Sequence, residues 1–130
     1  MTRVLINRKP LRDRAWGGGN LFVTALCDKL NDLGVDIVHD ASSLSKKIDV
    51  IFIQDPRYNE LKVSINEIAQ YKRLNPATRV VHRVNECDAR KNTNDMDMLL
   101  NETSKYTDHT VFVSSWMKDY HLSKGWNCNS

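Results

Sequence analysis

The chain is 130 residues long, 41% hydrophobic and 27% charged, which fits one compact domain and little else. At this length folding buries roughly two-thirds of the surface the unfolded chain exposes, so an ordinary core suffices without disulfides or a structural metal. No run approaches 18 apolar residues, and the N-terminus turns polar after Val4-Leu5-Ile6, too short for a signal-peptide core, so a soluble, cytoplasmic chain without a transmembrane segment is expected.

Cys27, Cys87 and Cys128 are odd in number, far apart and free of C-x-x-C spacing, which argues against a disulfide framework and a zinc site. The net charge of +3 is local: residues 1–16 hold Arg3, Arg8, Lys9, Arg12 and Arg14 against Asp13 alone, and the remainder carries a slight acidic excess. A nucleic-acid-binding face would spread its cations along a stripe with aromatics between them, so no nucleic-acid partner is expected.

Along the chain, Val4-Leu5-Ile6 reads as a short strand. Gly17-Gly18-Gly19 leads to Asn20, read as an N-cap, and Phe22, Ala25, Leu26, Leu30 and Leu33 then follow at helical spacing until Gly34 stops the helix. Val35 to His39 alternates like a strand, and Ser42 to Lys47 reads as one helical turn. Ile48 to Ile53 is a nearly continuous apolar run, the mark of a central strand covered on both faces. Leu61, Ile65, Ile68, Ala69 and Leu74 trace a second amphipathic helix closed by Asn75-Pro76.

Arg79 to Val84 is the next strand, residues 85–94 form a polar loop, and Met96, Leu99, Leu100, Thr103 and Tyr106 mark a helix. Thr110 to Val113 is the fifth strand, and Ser115 is read as the cap of a last helix stopped at Gly125. The alternation predicts an α/β fold, a three-layer α/β/α Rossmann-like domain over residues 1–130 with a mostly parallel sheet of about five strands and helices on both faces.

Ligands of such sheets bind beyond the carboxyl ends of the strands. The first strand-to-helix loop, from Arg8 to Gly19, is roughly twice the usual upper length of such connections. Glycines there let the backbone approach a ligand, and the N–H groups of the following helix favour an anion, most often phosphate. This assigns Gly17, Gly18, Gly19 and Asn20 to a phosphate site, with Arg8, Lys9, Arg12 and Arg14 adding charge at its rim. The alternative is a surface loop with solvated charges.

The second candidate is the loop from Asn85 to Asn92, where Glu86 or Asp88 could serve as general base or accept a sugar hydroxyl, with Asn85 and Arg90 beside them. Its alternative is a loop whose acids cap the next helix or pair with Arg90. Gln54-Asp55 and Ser114-Ser115 are weaker candidates of the same kind. His39, His82, His109 and His121 lack metal-ligand spacing, so no metal is expected, and His82 reads as a hydrogen-bonded core or edge histidine. A receiver-like signalling domain would need an acidic pair at the end of the first strand, where Asn7-Arg8 stand.

Arg3 to Asn7 before the glycine loop, Leu26 to Gly34, Ile48 to Ile53, and above all Asp108-His-Thr-Val-Phe-Val-Ser-Ser-Trp-Met-Lys-Asp-Tyr120 with Gly125 carry a resemblance that runs over most of the chain. The sequence resembles the N-terminal Rossmann-like half of GT-B-fold glycosyltransferases of the family 4, or group 1, type. The resemblance implies an acceptor-side domain whose glycine loop approaches the diphosphate of a nucleotide-sugar co-substrate, with no further cofactor. Where many members carry a histidine followed by an acid, this chain has Asn85-Glu86, making Glu86 the catalytic candidate.

The family's C-terminal donor domain, with its paired glutamates, is expected to be absent from these 130 residues, so the chain alone is not expected to turn over. Its implied partners are a nucleotide-sugar donor and a glycan, lipid or small-molecule acceptor, with peripheral membrane contact and a homodimer left open. The rival reading is a non-catalytic Rossmann-like module that binds an anionic ligand or a protein partner.

Overall fold

The computed structural model describes residues 1–13, 17–87, 89 and 95–126. Five strands, β1 (Arg3–Ile6), β2 (Asp36–Val38), β3 (Val50–Ile53), β4 (Arg79–Val84) and β5 (His109–Phe112), form one sheet in the order β2-β1-β3-β4-β5. Every pairing is parallel, with Leu5 opposite Ile51, Ile51 opposite Val80 and Val84 opposite Phe112. Four helices are described: α1 (Gly18–Asp32), α2 (Ile65–Leu74), α3 (Met96–Ser104) and α4 (Ser115–Ser123), with a 3₁₀ turn at Ala41–Ser45. This is the Rossmann-like three-layer α/β arrangement expected from the alternation of apolar runs and helical spacing.

The period-2 alternation of each strand divides the core between the two faces of the sheet. Val4 and Ile6 pack on one face against Val23 and Cys27 of α1, with Val50 and Phe52 beside them. Leu5, Ile51, Ile53 and Val80 point the other way, onto Ile68 and Tyr71 of α2. Val84 shares the parity of Val80 and meets Met96 and Leu100 of α3 and Met117 of α4. Among the described residues, then, α1 covers one face and α2, α3 and α4 the other. Complete burial of side chains such as Leu5, Ile51 and Ile68 stabilises the fold by roughly 1.5–3 kcal/mol each.

Helix boundaries differ from the sequence expectation in instructive ways. The N-cap of α1 is Gly17, and Asn20 lies inside the first turn, where its side chain accepts from Leu11 N–H at 2.7 Å and donates to Leu11 C=O at 2.9 Å. Asn20 thus pins the long loop to the helix. For α4 the cap is Ser114, whose hydroxyl accepts from Met117 N–H at 3.1 Å. Leu61 lies outside α2, which starts behind a capping box: Ser64 and Glu67 satisfy each other's backbone ends. The stops were read correctly: Gly34 and Gly125 have φ of 77° and 86°, the left-handed conformation that favours glycine.

No helix is long and apolar enough to cross a membrane among the described residues. Cys27 and Cys87 are buried free thiols, and Cys128 lies outside the described residues.

Candidate functional site

The sheet order reverses between β1 and β3, because the chain leaves β1 through α1 toward β2 and later continues through β3 in the opposite direction. A cleft of about 620 Å³ opens at this place, beyond the carboxyl ends of β1, β3 and β4, and falls in the usual size range of small-molecule sites. Arg8, Lys9 and Leu11 line it from the loop after β1, and Gly17, Gly18, Gly19 and Asn20 from the start of α1. Gln54, Asp55 and Pro56 contribute from the end of β3, and His82, Arg83, Asn85 and Glu86 from β4 and its exit.

The two sequence-derived candidate loops therefore meet in one cleft. Arg12 is not among the lining residues; its guanidinium pairs with Asp28 of α1 at 2.9 Å. Arg14, Asp88 and Arg90 lie outside the described residues.

The glycines at the helix start differ in what holds them. A methyl group at Gly19 would lie 3.1 Å from Gln54 Nε2 and 3.8 Å from Asn85 Nδ2, so the side-chain amides of two strand ends close on this residue. At Gly17 and Gly18 a methyl group would meet nothing within 4 Å, and neither residue has a positive φ. Neither packing nor backbone conformation demands glycine there; the missing side chains leave the helix start open to the cleft. The N–H groups of Asn20 and Leu21 both turn back to Gly17 C=O, at 3.1 and 3.2 Å.

Asn7, fully buried at the end of β1, fixes the neighbouring strand exit. Its Nδ2 donates to Val63 C=O at 3.1 Å, and its Oδ1 accepts from Gln54 N–H at 2.8 Å. That clip orients Gln54, which is 7% exposed and leaves Oε1 without a hydrogen-bond partner. His82, 1% exposed, likewise leaves Nδ1 unpartnered, where a hydrogen-bonded histidine was expected. Burial brings its pKa down to about 4, so the imidazole is neutral near pH 7.

Charge in the cleft is distributed unevenly. Arg57 donates to Asp55 at 2.7 Å and lies 3.8 Å from Glu86, joining the carboxylates that follow β3 and β4. Burial works against ionisation of Asp55, but the hydrogen bonds from Arg57 and the charges of Arg57 and Arg8 outweigh it and hold the carboxyl below its ordinary range. Arg83 is half-buried, its guanidinium carbon 4.2 Å from the centre of the Phe22 ring, and its Nη1 is buried without a partner.

The sequence reading passed over Arg83 and Arg57. The signal for Arg83 was present: it is a cation one residue from the carboxyl end of an interior strand, beside His82. No three His, Cys, Asp or Glu side chains among the described residues gather to hold a metal ion. Chemically, the cleft offers donors for an anion, neutral polar atoms, and a carboxylate within reach of the same space.

Compared with protein-family models, curated proteins and solved structures, the chain matches none.

Proposed function

We propose that this domain is the acceptor-side half of a nucleotide-sugar-dependent glycosyltransferase, and that its cleft takes the donor diphosphate against the start of α1. The observation that carries the reading is the pair Gly17 and Gly18, open to the cleft with no packing or backbone reason to be glycine, in a space that Glu86 also lines. The motif resemblance supplies the reaction class, and the cleft supports it with both kinds of group the reaction needs.

In glycosyl transfer the bond from the anomeric carbon to the diphosphate oxygen breaks as the acceptor oxygen bonds to that carbon. Negative charge grows on the departing diphosphate, which the N–H groups at the start of α1 and the cations Arg8 and Lys9 stabilise. The acceptor hydroxyl loses its proton to a carboxylate, the role we assign to Glu86, with Asn85 beside it to orient the hydroxyl. His82 lies buried in the floor of the cleft as a neutral imidazole and is given no part in that step.

The test is calorimetric titration with uridine and guanosine diphosphate sugars. The reading expects saturable binding that falls at least roughly tenfold in Gly18→Leu, about 1.4 kcal/mol, while the melting temperature changes little. Affinity indifferent to Gly18→Leu contradicts it. Equal affinity for the nucleotide sugars and for inorganic diphosphate favours the rival, a non-catalytic module for an anionic ligand.

A further inference from the structure

A guanidinium nitrogen withdrawn from water with no acceptor is costly, because the charge loses hydration and gains nothing in return. Arg83 is in that position. Its Nη1 is buried and unpartnered, and among the described residues no carboxylate pairs with it. Arg57 and Arg12 have their carboxylates at 2.7 and 2.9 Å. Arg83 instead stacks on Phe22, one helical turn beyond Gly18 on α1, which fixes the guanidinium beside the open helix start.

The surroundings of that helix start are also rich in donors. Gln54, more than nine-tenths buried, presents its donor Nε2 toward Gly19, and Asn85 Nδ2 approaches the same residue, while the Gln54 acceptor Oε1 has no partner. The first turn of α1, two side-chain amides and the half-buried Arg83 thus line one cleft.

We infer that Arg83 is the specificity-determining cation of the cleft, gripping a second phosphoryl group while the start of α1 holds the first, so that the site selects diphosphates over monophosphates. This rests on the proposed reading of the cleft as a phosphate site and deepens it. A planar guanidinium suits the task because its fixed fork can give two hydrogen bonds to one phosphoryl group, which an ammonium cannot do with the same geometry. The ligand then provides the counter-charge that the folded chain withholds.

The probes are inorganic pyrophosphate and orthophosphate, titrated calorimetrically at low ionic strength into the whole chain. The wild type should bind pyrophosphate more tightly. Arg83→Gln should weaken pyrophosphate roughly ten- to a hundredfold while changing orthophosphate little, and Gly18→Leu should weaken both. Arg83→Lys keeps the charge and loses the fork, so it should fall between wild type and Arg83→Gln; it decides the matter if Arg83→Gln does not fold. Unchanged selectivity in a folded Arg83 variant, or no pyrophosphate binding by the wild type, overturns the inference. If nucleotide sugars still bind in a Gly18-dependent way, the donor reading survives that outcome. Conversely, Arg83-dependent pyrophosphate selectivity stands even where no nucleotide sugar binds.

Discussion

His82 carries a neutral imidazole in the floor of the cleft because burial removes the water that would solvate its cation, bringing its pKa to about 4. The unfolded histidine titrates near 6.5, so below that pH the unfolded chain takes up a proton that the native chain refuses until about 4. Stability is therefore greatest above 6.5 and falls as the pH drops through this window, by ~3 kcal/mol in total. Urea unfolding at pH 7 and pH 4.5 should show this loss in the wild type and a much smaller one in His82→Gln; equal losses would contradict the assignment. Asp55 and Asp108, whose pKa values are lowered, add their losses only below the ordinary carboxylate range, outside this window. At this scale the sequence was only partly legible. Gly34 and Gly125 could be read as helix stops, since a stop is a local backbone requirement. Whether His82 Nδ1 finds a partner depends on what other strands bring near it, and spacing along one chain does not encode that.

Helices and strands were more legible than their ends. The apolar spacing of Ile65, Ile68 and Ala69 marks α2, yet its start is set by the reciprocal hydrogen bonds of Ser64 and Glu67. Ser64→Ala removes the hydroxyl that accepts from Asn66 N–H and should cost about 1 kcal/mol, read as a lower urea midpoint at unchanged slope. An unchanged midpoint would mean that packing of Ile68 and Tyr71 alone fixes the helix. In α1 the sequence suggested Asn20 as the cap because asparagine is a good capping residue. Asn20 instead spends its amide on both backbone groups of Leu11, a contact across the long loop that no local rule anticipates. That contact ties the loop bearing Arg8 and Lys9, which line the cleft, to the start of α1.

For the whole molecule, the alternation of strands and helices was enough to read the fold class, because parallel pairing and right-handed crossovers leave few arrangements open. What the alternation did not yield is the order β2-β1-β3-β4-β5, and with it the fact that the exits of β1, β3 and β4 share one cleft. The two candidate loops, separated by more than sixty residues of chain, became one site only through that order. The basic excess of the N-terminal segment is divided in the same way: Arg8 and Lys9 face the cleft, whereas Arg12 is neutralised by Asp28 on the outer side of α1. The central claim is that the start of α1 and Arg83 together receive a diphosphate. It is tested most directly by nuclear magnetic resonance of the isotope-labelled chain titrated with a nucleoside diphosphate. The account predicts saturable shifts of the Gly18 and Gly19 amides and of the Arg83 side-chain N–H, absent in Gly18→Leu; shifts confined to residues outside the cleft, or none at millimolar ligand, would contradict it.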